Sequence, residues 1–411
     1  MSSTAPQTDR FFQSLPRKSL PFGASPDTGD RFVYQDEYVN SLLGLFPGAF
    51  GDATKPIHFS LDNEPDLWSS THAEIQRSGI TYAALTRLTI DQAAAVKDVI
   101  PQAVIFGPVS YGYTGFVSLQ GASDSSGSEW FLESYLRQLK AASGANGRRL
   151  VDVLDVHWYT EARSAVAPGD TTNTTYRVSD NWIPSTPQVQ AARVQSTRSL
   201  WDPSYVESSW ITGCCTSGAG IALIPALRTK IAAQNPGTKI AFTEYDHGGA
   251  EDITGAVAQA DTLGIFGREG VYAATFWSLN NNVASFVRGA FRSFRNYDGA
   301  GGAFGDTSFQ AISSDESKAS VYASLDAGKP GRVVVVITNK TPGALDLQVQ
   351  LKHTQALTTA QVYRLTAATP LTGSGQSGDR LPQAQTPISF ANNAFNLAAV
   401  PGYSVTTLVL Q

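Results

Sequence analysis

Apolar residues along the first three quarters of the chain follow two patterns that alternate with each other. Short continuous apolar runs, typical of buried parallel strands, occupy residues 57–61, 103–108, 153–159, 239–246 and 272–279. Apolar residues at helical spacing fill the intervals, notably at residues 29–46, 80–99, 128–141, 219–233 and 256–267. Strand and helix therefore alternate, which predicts an α/β fold of parallel β/α units, as in a (β/α)8 TIM-type barrel.

The pattern changes near residue 318. Short alternating runs separated by Gly, Pro and Asn turns follow, such as residues 332–339, 345–351, 361–365 and 404–410. Such runs are typical of an all-β sandwich. We therefore expect a barrel domain over residues 1–317 and a β-sandwich domain over residues 318–411.

Two stretches carry no clear periodicity. Residues 1–28 are rich in Ser, Pro, Thr and Gly, and residues 161–186 are mostly polar. We expect the first to be coil and the second to be a long connection between barrel elements.

Composition and charge indicate which classes of binding partner are excluded. The chain has 411 residues, of which 42% are hydrophobic and 16% charged, as in folded globular proteins. Its net charge of -5 argues against nucleic acid or an anionic membrane as a partner, because both require clustered Lys and Arg. No apolar run is long enough to span a membrane, and the N-terminus lacks the pattern of a signal peptide.

The only two cysteines, Cys214 and Cys215, are adjacent. A disulfide between neighbouring residues is strained and rare, so the sequence predicts two thiols, free or buried. Cysteine usage therefore does not settle the redox compartment.

Two of the predicted strands end in a glutamate. Glu64 lies in Asn63-Glu64-Pro65, where Pro65 ends the strand, and Glu244 closes the run of residues 239–246. The carboxyl ends of barrel strands carry the active site. Glycoside hydrolysis requires one protonated carboxyl group and one ionised carboxyl group. An amide such as that of Asn63 can bind a sugar 2-hydroxyl.

A series of motifs makes the comparison with one enzyme family specific. The motifs are FSLDNEPDLWSSTH at residues 59–72, FVYQDEYV at 32–39, GPVSYG at 107–112, LDVHWY at 154–159, FTEYDHGG at 242–249 and RNYDG at 295–299. In their order along the chain these motifs resemble glycoside hydrolase family 44, whose members are endo-acting β-1,4-glucanases and xyloglucanases. The resemblance extends from about residue 20 to the C-terminus.

The resemblance implies a retaining barrel enzyme that cleaves β-1,4-glucan backbones by double displacement. Glu64, on barrel strand four, would be the acid/base, Glu244, on strand seven, the nucleophile, and Asn63 the contact to the 2-hydroxyl. No cofactor is expected for catalysis. A structural calcium or zinc ion is compatible with the family, although the sequence shows no ligand set. We expect a monomer whose parent protein is secreted, because its polymeric substrate lies outside the cell.

Further candidates for substrate binding are aromatic or lie at strand ends. A core position explains each of them as an alternative. They are Trp68, Tyr111, His157, Trp158, Tyr159, Tyr245 and Trp277. Three acidic residues, Asp62, Asp66 and Asp246, could support the site or bind a metal.

The chain also departs from the family pattern. If Glu64 follows strand four, three β/α units of roughly 30 residues each should precede it, yet 56 residues precede Ile57. We therefore expect barrel strands four to eight in this chain. Two alternatives stay open: a carbohydrate-binding fragment without turnover, and another retaining barrel glycosidase such as a xylanase or mannanase.

Overall fold

The computed structural model describes residues 12–18, 20–27, 29–52, 54, 56–165, 175–180, 183–278, 284–373 and 378–411. The chain divides into two compact units. The first comprises Met1–Trp158, Ala226–Glu244 and Tyr272–Thr275, and the second comprises Tyr159–Pro225, Tyr245–Val271 and Phe276–Gln411.

The strands and helices of both units are as follows. In chain order the strands are β1 Gln13–Leu15, β2 Phe32–Tyr34, β3 His58–Ser60, β4 Val104–Ser110, β5 Val153–Tyr159, β6 Arg163–Ala165, β7 Thr175–Arg177, β8 Lys239–Asp246, β9 Ala273–Phe276, β10 Thr307–Phe309, β11 Ala319–Asp326, β12 Lys329–Asn339, β13 Leu345–Gln350, β14 Thr359–Leu365, β15 Gln383–Ser389, β16 Ala394–Val400 and β17 Ser404–Leu410. The helices are α1 Gln35–Leu45, α2 Trp68–Thr71, α3 Tyr82–Val99, α4 Tyr113–Ser118, α5 Phe131–Asn146, α6 Pro187–Ser196, α7 Trp210–Cys214, α8 Leu223–Gln234, α9 Ile253–Arg268 and α10 Ser285–Arg295.

The first unit is built on a curled half-barrel sheet of five strands, in the order β3-β4-β5-β8-β9. The β3–β4 and β4–β5 pairs are parallel. β4 and β5 are buried at almost every position, which explains their continuous apolar sequence. This sheet confirms the predicted barrel-type α/β fold. That its strands are barrel strands four to eight stays a prediction.

Helices α3 and α5 pack together in the same unit. The Thr81 hydroxyl caps α3 by accepting a hydrogen bond from the Ala84 amide at 3.1 Å. The rings of Tyr82 and Phe131 lie 5.0 Å apart, and the Tyr135 hydroxyl donates to Thr89 at 3.2 Å. Both helices were predicted from their apolar spacing.

The N-terminal region differs from the prediction. Residues 32–34, expected to begin a helix, form β2, and α1 begins only at Gln35. β2 pairs in parallel with β1, so Gln13–Leu15 is a strand rather than coil. Aromatic and β-branched residues such as Phe32, Val33 and Tyr34 favour an extended backbone, which outweighs the helical spacing here.

Two later elements also differ from the prediction. The polar connection at residues 161–186 contains the antiparallel pair β6–β7. The strand predicted over 272–279 is shorter, since β9 covers Ala273–Phe276 and Leu279 lies outside the described residues.

The second unit contains the predicted β-sandwich. A six-stranded sheet in the order β10-β11-β12-β17-β14-β15 faces the two-stranded sheet β13-β16 across an apolar core that includes Val335, Val362 and Leu397. The opposite face of the larger sheet packs on α9 and α10, where Val336 and Val405 meet Val257 and Phe286. Burial on both faces explains the unbroken apolar run of β12.

The cysteine prediction is wrong. Cys214 and Cys215 form a disulfide bond, and no free cysteine is present. Both residues are exposed at the end of α7, where the Cys215 backbone leaves the helical conformation and the two side chains can meet. Separately, none of the helices in the described parts of the chain is both long and apolar enough to cross a membrane.

Candidate active site

Three ionisable side chains meet at the carboxyl ends of three strands of the first unit. Glu64 follows β3, His157 lies in β5 and Glu244 lies in β8. Nδ1 of His157 lies 2.8 Å from Oε1 of Glu64 and 3.5 Å from Oε2 of Glu244. The imidazole is 1% exposed and the two carboxyl side chains are 21% and 18% exposed, so a buried base stands beside two carboxyl groups that reach solvent.

The loop after β3 holds Glu64 in an unusual backbone conformation. Its φ of 44° and ψ of 58° lie in the left-handed region, which residues with a side chain adopt rarely. Its amide donates to the Val109 carbonyl at 3.0 Å, which ties it to β4. Such outliers persist where the surrounding structure enforces them, and they are frequent at active sites.

Asp66 fastens the same loop to the end of β4. Its buried carboxylate accepts hydrogen bonds from the Ser110 hydroxyl at 2.7 Å and from the Tyr111 amide at 2.8 Å. Burial raises the pKa of Asp66, and these two hydrogen bonds oppose the shift. Asp66 therefore supports the position of Glu64 from two residues away.

Beneath the trio, Asp155 and Thr243 link β5 to β8. The Asp155 carboxylate is fully buried and accepts from the Thr243 hydroxyl, at 2.9 Å on Oδ1 and 2.8 Å on Oδ2, and from the Thr243 amide at 3.2 Å. The Thr243 hydroxyl also lies 3.3 Å from Nε2 of His157. Burial raises the pKa of Asp155 to about 6, against the hydrogen bonds from Thr243 and the nearby His157.

Sequence reasoning did not identify Asp155 and Thr243. A signal for Asp155 was present, because residues two apart on a strand point to the same face and Asp155 precedes His157 by two. Thr243 could not be paired with it without the register of β5 against β8.

The predicted substrate-binding residues of the first unit are divided between loop and core. Asn63 is exposed, and its carbonyl accepts from the Trp68 indole at 3.0 Å, so both belong to the loop that carries Glu64. Tyr111 is half-buried and donates to Oε1 of Gln120 at 2.7 Å. Trp158 is 1% exposed and offers no face to a ligand.

The predicted residues of the second unit are also divided. Tyr245 is buried, where its hydroxyl accepts from Nε2 of Gln259 at 2.7 Å and its ring meets Phe266 edge-on. Tyr159 is half-buried. Trp277, directly after β9, is 57% exposed. Trp277 is therefore open to solvent, whereas Tyr245 packs in the core.

The remaining acidic candidates have local roles. Asp62 is exposed and accepts from the Asn63 amide at 2.8 Å, and the buried Asp246 accepts from the Gly248 amide at 2.7 Å. Among the described residues, only Glu64, His157 and Glu244 place three Asp, Glu, His or Cys donor atoms close together, within 4.8 Å of one another. The three side chains already contact one another, at 2.8 Å between His157 and Glu64 and 3.5 Å between His157 and Glu244.

Comparison with known proteins identifies relatives along the whole chain. The family model of glycoside hydrolase family 44 matches residues 9–162. The chain is 38% identical to endoglucanase A of Paenibacillus lautus over 418 aligned residues, covering 100% of this chain and 56% of that protein. It is 35% identical to the beta-mannanase/endoglucanase A of Caldicellulosiruptor saccharolyticus, of which it covers 28%. The chain thus spans about half or less of the length of these curated relatives.

Solved structures resemble the fold closely. The family 44 xyloglucanase of Paenibacillus polymyxa, solved with xyloglucan, superposes with a TM-score of 0.87 at 33% identity, over 97% of this chain and 75% of that one. The family 44 endoglucanase of Clostridium thermocellum superposes with a TM-score of 0.86 at 36% identity, over 97% and 74%.

Proposed function

The chain belongs to glycoside hydrolase family 44, and from this membership we propose that it is a retaining endo-glycosidase of β-1,4-glucan backbones such as xyloglucan and cellulose derivatives. The observation that carries the proposal is the placement of Glu64 and Glu244 beside one buried imidazole. Their nearest oxygens lie within 4.8 Å of each other. Carboxyl groups of retaining enzymes stand about 5–5.5 Å apart, whereas those of inverting enzymes stand about 6.5–9.5 Å apart to admit a water.

In the proposed mechanism, Glu244 is ionised and attacks the anomeric carbon while Glu64 protonates the departing glycosidic oxygen. This yields a covalent glycosyl-enzyme and a released chain end. Glu64, now ionised, then takes a proton from water, which attacks the same carbon and frees Glu244. Both steps use only side chains, so the mechanism requires no cofactor.

We assign substrate contacts on exposure and position. Asn63, exposed next to Glu64, is the contact to the sugar 2-hydroxyl, and Trp277 is a stacking ring. Trp68 and Tyr111 line the loop that carries Glu64, and Tyr159 follows His157 by two residues on β5. We leave Trp158 and Tyr245 out of the sugar contacts, since both are buried. A secreted, monomeric parent protein suits a polymeric substrate outside the cell.

The test is release of reducing ends from xyloglucan and carboxymethylcellulose by the wild type, Glu64→Gln and Glu244→Gln. Each variant keeps the shape of its side chain but loses the acid or the nucleophile. We expect activity to fall at least about a hundred-fold for each, because one general acid or base contributes about 10²–10⁴ in rate. Full activity of both variants would refute the assignment. An initial product with inverted anomeric configuration in NMR would refute retention.

Two other functions make different predictions in the same assay. The described sheet has five strands where a closed barrel has eight, which favours binding without turnover as the second candidate. That function predicts oligosaccharide binding in calorimetry and no reducing ends from the wild type. A relative described as a beta-mannanase/endoglucanase makes mannan and xylan necessary members of the substrate panel.

A further inference from the structure

The Thr243 hydroxyl stands between a carboxylate and an imidazole. It contacts both Asp155 oxygens, at 2.9 and 2.8 Å, and it lies 3.3 Å from Nε2 of His157. The opposite ring nitrogen, Nδ1, lies 2.8 Å from Oε1 of Glu64. These contacts form one continuous chain from Asp155 through Thr243 and His157 to the proposed acid/base.

The direction of each hydrogen bond follows from the groups involved. A hydroxyl has a single proton to donate, and the Asp155 carboxylate can only accept when it is ionised, that is, above its pKa of about 6. The Thr243 proton therefore points to Asp155, and the oxygen of Thr243 is left to accept from Nε2–H of His157. This assigns the tautomer of His157 from its partners: Nε2 carries hydrogen, and Nδ1 faces Glu64.

The assignment determines how many protons His157 and Glu64 hold together. With Nε2 protonated, the short contact between Nδ1 and Oε1 needs one further proton, held either by the carboxyl group or by the ring. In both descriptions the pair holds two protons, one on Nε2 and one in the contact between Nδ1 and Oε1. The opposite tautomer would place the single ring proton on Nδ1, in that same contact, so the pair would hold one proton only and Glu64 would be ionised.

We propose that Thr243 and Asp155 are positioning residues that hold hydrogen on Nε2 of His157 and thereby keep a second proton in the His157–Glu64 pair for the leaving group. The inference rests on the proposed function, and it identifies two residues that keep the acid of that site protonated. Neither residue needs to touch substrate. Asp155 and His157 are fully buried and Thr243 is half-buried, so two of the three groups in this chain have no contact with solvent.

The test compares two substrates that differ in their need for an acid. A β-1,4-glucan has a poor leaving group that must be protonated, whereas an aryl cellooligosaccharide with an activated phenol leaves without protonation. Thr243→Val keeps the shape of the side chain and removes the hydroxyl. We expect kcat/KM on the glucan to fall about ten-fold or more, and kcat/KM on the activated substrate to change less than about two-fold. Thr243→Ser, which restores a hydroxyl, should recover most of the loss.

Thr275→Val is the matched control. The Thr275 hydroxyl also hydrogen-bonds Thr243, but at the backbone carbonyl, outside the proposed chain. We expect this control to treat both substrates alike. Asp155→Asn should reproduce the selective loss, because an amide can donate to Thr243 and reverse the direction of the chain.

The outcomes separate the inference from the function. A wild type that cleaves neither substrate refutes the proposed function. An active wild type combined with equal losses on both substrates in Thr243→Val, or with no loss, overturns the positioning role. Thermal unfolding of every variant gives the folded fraction at the assay temperature, and kcat/KM is expressed per folded enzyme, so that equal losses cannot come from reduced stability.

Discussion

Glu64 adopts a backbone conformation that its side chain disfavours. The left-handed region costs a residue with a β-carbon about 1–2 kcal/mol, and glycine enters it freely. Replacement by glycine also raises the entropy of the unfolded chain, which offsets part of this gain. We therefore predict that Glu64→Gly is more stable than Glu64→Ala by about 0.5–1 kcal/mol, measured as the free energy of unfolding in urea.

Both variants lack the carboxyl group, so the comparison isolates the backbone. Both should be inactive on glucan if Glu64 is the acid. Equal stability of the two would mean that the positive φ carries no cost. Greater stability of the alanine variant would contradict the assigned backbone conformation.

Asp155 makes stability depend on pH in a direction opposite to that of most carboxylates. Its pKa rises to about 6 from the ordinary 3.8, because burial penalises the ionised form. Between these values the native state binds more protons than the unfolded state, so the free energy of unfolding falls as pH rises. Stability is highest below pH 4 for this group and reaches its lower level above pH 6.

This pH dependence is measured against Asp155→Asn, because the asparagine side chain cannot ionise. From pH 4 to pH 7 the wild type should lose up to about 3 kcal/mol relative to this variant, since one pKa unit corresponds to about 1.4 kcal/mol. Urea unfolding of both proteins at four pH values measures it. Parallel stability profiles would show that Asp155 titrates normally.

At the scale of elements, a buried ion pair joins α9 to the end of β12. Lys340 Nζ lies 2.8 Å from Oδ2 of Asp261, both side chains are fully buried, and the Tyr322 hydroxyl donates to Oδ1 at 2.7 Å. Burial alone would raise the pKa of Asp261, but the charge and hydrogen bond of Lys340 outweigh it and hold the pKa below its ordinary value. We predict that Lys340→Met destabilises the protein by about 3–5 kcal/mol, because it leaves the buried Asp261 carboxylate without an ionic partner.

The double variant Lys340→Met/Asp261→Asn removes both charges and is the control. It should recover a large part of the loss, since a neutral pair needs no ionic partner. Chemical denaturation of the wild type, both single variants and the double variant gives the four free energies of unfolding of a double-mutant cycle. A double variant as unstable as Lys340→Met would show that packing, rather than charge, is responsible.

The elements that sequence predicted best are those whose burial pattern is simple. Strands β4, β5 and β8 are buried on both faces and read as apolar runs, and Glu64 and Glu244 follow from their position at strand ends. α10 was not predicted, although Phe286, Ala290 and Phe294 recur every four residues and all are buried. Its interspersed arginines and serines lower its apolar content without disturbing its apolar face.

Side-chain contacts between strands could not be predicted, because they depend on how distant parts of the chain are aligned. The partner of Asp155 on β8 depends on the register of two strands that are 88 residues apart in sequence. Likewise, sequence could not tell that Trp158 and Tyr245 face the core while Trp277 faces solvent, because each lies at a strand end where either orientation is open. The disulfide between Cys214 and Cys215 depends on the local backbone at the end of α7.

At the scale of the whole molecule, the second unit combines the sandwich with helices of the barrel region. The larger sheet begins with β10, ahead of the boundary proposed at residue 317, and it buries one face on α9 and α10. That residues 1–317 and residues 318–411 each fold independently therefore stays a prediction. The apolar cluster that joins Val257 and Phe294 to Val336, Leu365 and Val405 argues against such independence.

We predict that residues 1–317 do not fold stably when expressed alone. The cut removes β11 to β17, and it exposes the apolar faces of α9 and α10 that β12, β14 and β17 cover. Such a continuous exposed patch promotes aggregation, and loss of packing leaves a state without a cooperative transition. Soluble yield, size-exclusion elution and thermal unfolding measure this, with co-expression of residues 318–411 as the control that should restore a soluble complex. A monomeric 1–317 fragment that unfolds cooperatively would instead establish the boundary at 317 and make the sandwich an independent domain.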